Sequence, residues 1–232
     1  VVYGKEGRLK MIYIGIPTVN LQRYLKETID SLVCEDEFKV MIVDNFSTDG
    51  TRDWVVNSGH EHILNPSNFG VARAWNQIIY WGLSHDDFEV VFIMNNDIVL
   101  HKDSLDNMMQ SIRENGKEAI SGVNIGINPS MLQSCTRPTF RYSPAMSFSC
   151  FGLIKSTITR VGVFDEGFKL AYFEDNDMHH RMMLEEIKCS ADLWAPFTHY
   201  GSRTIKEGGV TNHADHFKQN KEFFRKKWGF VP

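Results

Sequence analysis

Apolar residues recur along the first half of the chain with two alternating periods. Met11 to Ile16, residues 39–43 and residues 89–94 are short runs too apolar to carry a wet face, which predicts strands covered on both sides. Between them the period lengthens to that of a helix. Leu21, Tyr24, Leu25, Ile29, Leu32 and Val33 share one face of a predicted helix 21–33, with Asn20 as its N-cap. A second helix is expected to start near Thr48 or Asp49, followed by an edge-like strand at His62-Ile63-Leu64 and a turn at Asn65–Gly70. The spacing of Val71, Ala74, Trp75, Ile78 and Ile79 predicts a helix over 71–83. Leu105, Met108, Met109 and Ile112 predict another over 103–114. This alternation indicates a doubly wound α/β half. After about residue 115 the pattern changes to strands at Ile120–Ile127, Ser147–Ile154 and Cys189–Leu193 and helices at Glu174–Glu186 and 214–228.

Each of the three apolar strands opens into small polar residues: Pro17-Thr18-Val19-Asn20, Asp44-Asn45-Phe46-Ser47-Thr48-Asp49-Gly50 and Asn95-Asn96-Asp97. Ligands of open α/β sheets collect at the C-terminal ends of such strands. A single hard carboxylate beside a phosphate is the usual way to hold Mg²⁺ or Mn²⁺. Asp and Asn also cap turns and helices, and Asp49 reads that way.

Composition narrows the classes. With 232 residues, 42% of them hydrophobic, the chain can bury one sizeable core. A formal charge of −4 provides no basic field for nucleic acid. Cys34, Cys135, Cys150 and Cys189 are scattered, with no zinc-like spacing, which favours a reducing, cytoplasmic location over a disulfide framework. No signal peptide is evident, and no apolar run approaches the ~18 residues of a spanning helix. The basic, aromatic segment 214–228 leaves a peripheral membrane contact open, with solvent as the plain alternative. Nothing in the sequence sets an oligomeric state.

The ordered set Ile-Pro-Thr-Val-Asn (16–20), Val-Asp-Asn-Phe-Ser-Thr-Asp-Gly-Thr (43–51), Asn-Pro-Ser-Asn-Phe-Gly-Val-Ala-Arg-Ala-Trp-Asn (65–76) and Met-Asn-Asn-Asp (94–97) resembles family 2 glycosyltransferases. The likeness continues through Val161-Gly-Val-Phe-Asp-Glu-Gly-Phe, Tyr172-Phe-Glu-Asp-Asn-Asp, His199 and Phe223-Phe-Arg-Lys-Lys-Trp-Gly, with a flavour of the rhamnosyltransferase-like branch. It implies an α/β fold of the GT-A, Rossmann-like type: a mixed, mostly parallel sheet with flanking helices. Residues 1–232 would form one domain, with a nucleotide-binding half over 11–115 and an acceptor-binding half over 116–232. The chain departs from many relatives in carrying Asn-Asn-Asp where they have Asp-x-Asp.

The resemblance implies an inverting transferase that moves a sugar from a nucleotide-diphosphate donor, a UDP or dTDP sugar, to a hydroxyl of a glycan or glycoconjugate. Asp97 and His199 would hold Mn²⁺ or Mg²⁺, and an imidazole ligand suits Mn²⁺ better. Pro17, Thr18 and Asp44 would form the base pocket, Asn95 and Asn96 would meet the nucleotide, and Arg73 would face it. Asp175 would be the general base, with Glu174 as the alternative and with Asp165 and Asp177 raising its pKa by like charge. Asn76 would brace the first strand loops. Residues 201–211 would form a glycine-hinged basic lid. Two other readings remain at this stage: a transferase acting on modified DNA bases, and a catalytically silent nucleotide-sugar binding module.

Overall fold

The structure is a computed structural model that describes residues 11–126, 140–201, 203, 207 and 212–232. Nine strands among the described residues form one sheet in the order β3-β2-β1-β4-β8-β6-β9-β5, with β7 also paired to β9. These are β1 (Ile12–Thr18), β2 (Phe38–Asp44), β3 (Glu61–Leu64), β4 (Val90–Met94), β5 (Ile98–Leu100), β6 (Ala119–Asn124), β7 (Tyr142–Ser143), β8 (Cys150–Ile154) and β9 (Cys189–His199). The sheet is mixed and mostly parallel: six strands run one way, and β5, β7 and β8 oppose them.

The predicted period switching is realised as helices on both faces. They are α1 (Gln22–Asp30), α2 (Thr51–Asn57), α3 (Val71–Leu83), α4 (Ser104–Asn115), α5 (Lys155–Val161), α6 (Glu174–Leu184) and α7 (His213–Trp228). Along β1, Ile12, Ile14 and Ile16 pack with Leu25 of α1, Val55 of α2 and Leu105 and Met108 of α4. Tyr13 points to the other face, toward Ile78 of α3, Ile158 of α5 and Met182 of α6. Gly15 lies on this second face because a Cβ there would sit 2.1 Å from Ile78 Cγ2. The missing side chain lets α3 settle directly on the sheet.

Several element boundaries differ from the sequence reading, each for a local reason. Asn20 does not cap α1. It adopts a φ of 57°, Leu21 takes the cap position, and the Asn20 side chain accepts the Thr48 amide at 2.6 Å. The helix stops at Asp30, and Val33 is exposed. Helix α2 starts at Thr51, with Asp49 accepting the Thr51 amide and the Leu21 amide. Strand β9 runs well past Leu193, through Pro196 to His199. Cys135 and Ile127 lie outside the described residues, as does most of 201–211. Asn76 braces the segment between α5 and α6 instead of the first loops: it exchanges hydrogen bonds with the backbone of Phe164 and donates to Glu166.

The turn that leads into α6 is strained. Leu170, Tyr172 and Phe173 all have positive φ, at 63°, 85° and 72°. Asn220 of α7, buried at 1% exposure, holds this turn in place. Its side-chain amide donates to the carbonyls of Lys169, Ala171 and Tyr172, and its carbonyl accepts the Lys169 amide. Asn220→Ala should leave these buried backbone groups unpaired and cost about 2–4 kcal/mol in urea unfolding. Gln219→Ala on the exposed face should change stability by less than about 0.5 kcal/mol. A similarly small loss for Asn220→Ala would show that the turn holds its shape unaided.

Candidate active site

The C-terminal ends of β1 and β4 open into a cavity of about 590 Å³. Of the residues nominated from sequence, Pro17, Thr18, Asn95, Asn96, Asp97, Glu174, Asp175 and His199 all line it. They come from positions far apart in the chain, and the sheet order explains their meeting. Strand β5 begins directly after Asp97 and pairs antiparallel with the end of β9, placing Ile98 opposite His199. The Asp97 carboxylate and the His199 imidazole are therefore neighbours, with Oδ1 and Nε2 3.0 Å apart.

These two side chains fit a divalent cation. Asp97 is 3% exposed, and its Oδ2 accepts the Arg203 backbone amide at 3.1 Å, which leaves Oδ1 toward the imidazole. His199 Nε2 is buried and makes no hydrogen bond despite its closeness to Oδ1, because the approach is poorly aligned. His199 Nδ1 lies 3.4 Å from Ser149 Oγ. One carboxylate oxygen and one unpaired imidazole nitrogen could supply two ligands. Among the described residues no cluster of three metal-ligating side chains exists, so the remaining positions would fall to a bound phosphate and water.

Asn96 donates to Thr18 Oγ1 at 2.8 Å and ties the ends of β4 and β1 together. The Asn95 amide donates to the Ser149 carbonyl, which joins this edge to the loop before β8.

Glu174 and Asp175 start α6, directly after the strained turn. Burial, with the neighbouring Asp175 charge, pushes the Glu174 carboxyl up to about 8. Its Oε2 is buried without a hydrogen-bond partner. Burial also raises Asp175 above the ordinary aspartate range, against the lowering effect of the Asn176 amide. Like-charge repulsion from Asp165 and Asp177 is therefore not the cause. Asp177 is buried in ion pairs with Arg181 and Lys227, and Asp165 also pairs with Lys227. Lys227 is thus drawn inward, away from the basic surface expected of α7.

Two nominated residues are not on the cavity wall. Asp44 is fully buried, accepts the Ser47 amide and pairs with Arg52 at 3.2 Å. Arg73 is exposed, with its guanidinium 4.1 Å above the Phe69 ring. Asn45, passed over in the sequence, stands on the wall instead. Its side chain bonds to Asn68 and the Gly70 carbonyl and accepts from Asn65 and the Phe69 amide. The asparagine-rich turn 65–70 was legible, but this buried partner for it was not. Trp75, read as a core residue, also lines the cavity.

Comparison with known proteins bears out the fold. The chain shares its fold with GalNAc-T7 solved with UDP, GalNAc and Mn²⁺, at a TM-score of 0.67 and 12% identity over 95% of this chain and 48% of that one. A mannosyltransferase from Pyrobaculum calidifontis, solved with GDP-Man and Mn²⁺, is similar at a TM-score of 0.61 and 19% identity, over 95% of this chain and 65% of that one. A 1–349 fragment of TarS from S. aureus is similar at 0.62 and 17% identity, over 95% and 72%. The chain spans about half the length of the first of these and just under two-thirds of the second. No curated protein sequence matches it. Its architecture is the GT-A glycosyltransferase fold. Residues 13–162, well over half of the chain, match the sequence profile of glycosyl transferase family 2, and the chain belongs to that family.

Proposed function

We propose that this chain is a metal-dependent, inverting glycosyltransferase that uses a nucleotide-diphosphate sugar and a glycan or glycoconjugate hydroxyl. One observation carries the reading. The described wall of the cavity holds the Asp97 and Asp175 carboxylates and the Glu174 carboxyl, with no lysine or arginine, yet presents an unpaired imidazole nitrogen beside Asp97. A diphosphate would be repelled there unless a divalent cation joined it to Asp97 and His199. The solved relatives that hold Mn²⁺ with UDP or GDP-Man support the same chemistry.

The nucleoside would lie against Pro17 and Thr18 with its ribose near Asn95, and the resemblance favours uridine or thymidine. Asp44, engaged by Arg52 and Ser47, supports this pocket from the neighbouring strand. The bound cation would supply Lewis-acid stabilisation of the departing diphosphate. Asp175 takes the proton from the acceptor hydroxyl. The acceptor oxygen bonds to the anomeric carbon from the face opposite the breaking bond, and the nucleoside diphosphate leaves. The hydrophobic wall of Val71, Phe148, Tyr172 and Phe173 keeps water from competing. The basic α7 remains a candidate for peripheral contact with an anionic surface, and no described helix is long and apolar enough to cross a membrane.

Asp97→Ala should abolish Mn²⁺-dependent binding of the nucleotide diphosphate in calorimetry, with the fold intact. His199→Ala should weaken the same binding less, because the carboxylate and the phosphate oxygens remain. Metal-dependent affinity unchanged in both variants removes the pair from the site.

Asp175→Asn should bind donor normally and transfer sugar on the order of 10²–10⁴ times more slowly. The wild-type rate should rise with pH through an acidic limb set above the ordinary aspartate range, and the variant should lose that limb. A dead Glu174→Gln beside an active Asp175→Asn reverses the assignment. Donor binding without turnover in the wild type, with any acceptor mixture, points to the silent module instead.

The Glu174 proton also predicts a stability profile. Its pKa is raised on folding from 4.5 to about 8. Its stabilising contribution is therefore complete below about pH 4.5 and is lost as pH rises through 8. Glu174→Gln should flatten the fall in unfolding free energy between pH 5 and 8, worth on the order of 2–4 kcal/mol. Parallel pH profiles for wild type and variant contradict a buried neutral Glu174.

A further inference from the structure

The terminal motif Phe223-Phe-Arg-Lys-Lys-Trp-Gly has no place in the site described above, yet the buried face of α7 runs along the start of α6. Asn220, Phe224, Lys227 and Trp228 recur at helical spacing on that face. At one end, Asn220 holds the 169–172 backbone through four hydrogen bonds of 2.8–3.1 Å. One turn on, Phe224 is 1% exposed and packs on Phe173, ring centres 5.8 Å apart. At the other end, Lys227 and Trp228 converge on Asp177 Oδ1. The ammonium lies at 2.7 Å and the indole N–H donates at 2.9 Å. Asp177 is fully buried, and Arg181 donates to its other oxygen while also holding the Val161 and Val163 carbonyls. Lys227 reaches Asp165 as well, at 2.7 Å.

Glu174 and Asp175 lie between these two grips, after Phe173 and before Asp177. The Asp175 carboxylate accepts the amide of its own neighbour, Asn176, so its aim is that of the backbone beneath it. That backbone follows the turn in which Leu170, Tyr172 and Phe173 have positive φ. Residues keep such angles only where the surroundings over-determine them. Here α7 supplies the surroundings, by hydrogen bonds on one side of the pair and by charge on the other. We propose that Asn220, Lys227 and Trp228 are positioning residues for Asp175: they clamp the chain before and after it and so fix how it meets the acceptor hydroxyl. None of the three lines the cavity, so they act through the backbone and not by touching what the cavity holds. The metal pair and the nucleotide pocket stand on other elements, the ends of β1, β4 and β9. The proposal rests on the transferase reading in which Asp175 is the base.

Lys227→Met removes the ammonium and leaves Asp177 its Arg181 and Trp228 partners. Trp228→Phe removes the indole N–H and keeps a ring against His180. Asn220→Ala frees the turn. Each is compared with wild type by calorimetry with Mn²⁺ and uridine or thymidine diphosphate. Turnover is followed as nucleoside diphosphate released from UDP- and dTDP-hexoses with p-nitrophenyl pyranosides as acceptors, at a temperature where thermal unfolding shows every variant folded. Nucleotide affinity should stay within about twofold of wild type while kcat falls roughly 10–100-fold, the scale of a misplacement of up to about 1 Å. Lys227→Arg, which can still bridge Asp165 and Asp177, should recover most of the rate. In an Asp175→Asn background the same changes should cost less than about threefold, because residues that act as a unit are not additive. Full losses in that background overturn the proposal. So do folded variants that keep the wild-type kcat or lose nucleotide affinity in step with it. If Asn220→Ala does not fold, Lys227→Met and Trp228→Phe decide. An Asp175→Asn variant that turns over at the wild-type rate overturns the base assignment, and a wild type that turns over no donor–acceptor pair overturns the transferase reading. Either result takes the proposal with it, and both are seen before any α7 variant is made.

Discussion

The pairing of Ile98 with His199 is the constraint on which the site depends. Strand β5 is three residues long and is joined to Asp97 with no spacer. Once it adds antiparallel to the end of β9, Asp97 and His199 have no freedom to separate. The ladder continues past the strands, with the Tyr200 amide donating to the Asp97 carbonyl and the Arg203 amide to its carboxylate. Backbone hydrogen bonds thus fix both the position of the carboxylate and which oxygen it offers. A site assembled by sheet pairing is more rigid than one assembled on loops, which suits the proposed role of Asp97 and His199 as metal ligands.

Stability is lowered locally where chemistry is expected. Three non-glycine residues with positive φ precede α6, and two buried polar groups, Trp75 Nε1 and Glu174 Oε2, stand unpaired. Each feature costs on the order of 1–3 kcal/mol. The compensation is visible nearby. Asn220 saturates the backbone of the turn, and the Val71 amide donates to Leu170 on its other side. Gly70 permits that approach, since a Cβ there would lie 2.9 Å from the Leu170 nitrogen. Helix α7 is therefore part of the site's support, although none of its basic residues lines the cavity.

Long periodic elements were legible in the sequence. Helix 71–83 has the predicted bounds, and the three apolar strands lie side by side with their polar ends at the cavity. The same strand-end pattern located Pro17, Thr18 and the Asn95–Asp97 turn. What escaped depends on long-range partners. Strand β5 is too short to show a period, and β9 is disguised by Asp192 and Pro196. Asn220 reads as one polar residue in a basic helix until the 169–172 turn folds over it. Asp44 and Asn45 are adjacent in sequence, and only the completed network shows that the carboxylate is occupied by Arg52 while the amide reaches the wall.

In the proposed reaction one environment would give two like groups, Glu174 and Asp175, different tasks. Adjacent carboxylates in a poorly hydrated site cannot both ionise cheaply. Glu174 is the more deeply buried and has no hydrogen-bond donor at Oε2, so the shared proton falls to it. Asp175 is only partly buried and receives the Asn176 amide, which favours its charged form. The proton on Glu174 removes the repulsion that would otherwise raise Asp175 further. In the proposed reaction Asp175 would accept a proton beside a neutral Glu174 carboxyl. Titration of Glu174 at higher pH would place a second charge at the helix start, so the proposed division of labour would hold only in the pH range in which Asp175 is ionised and Glu174 is not.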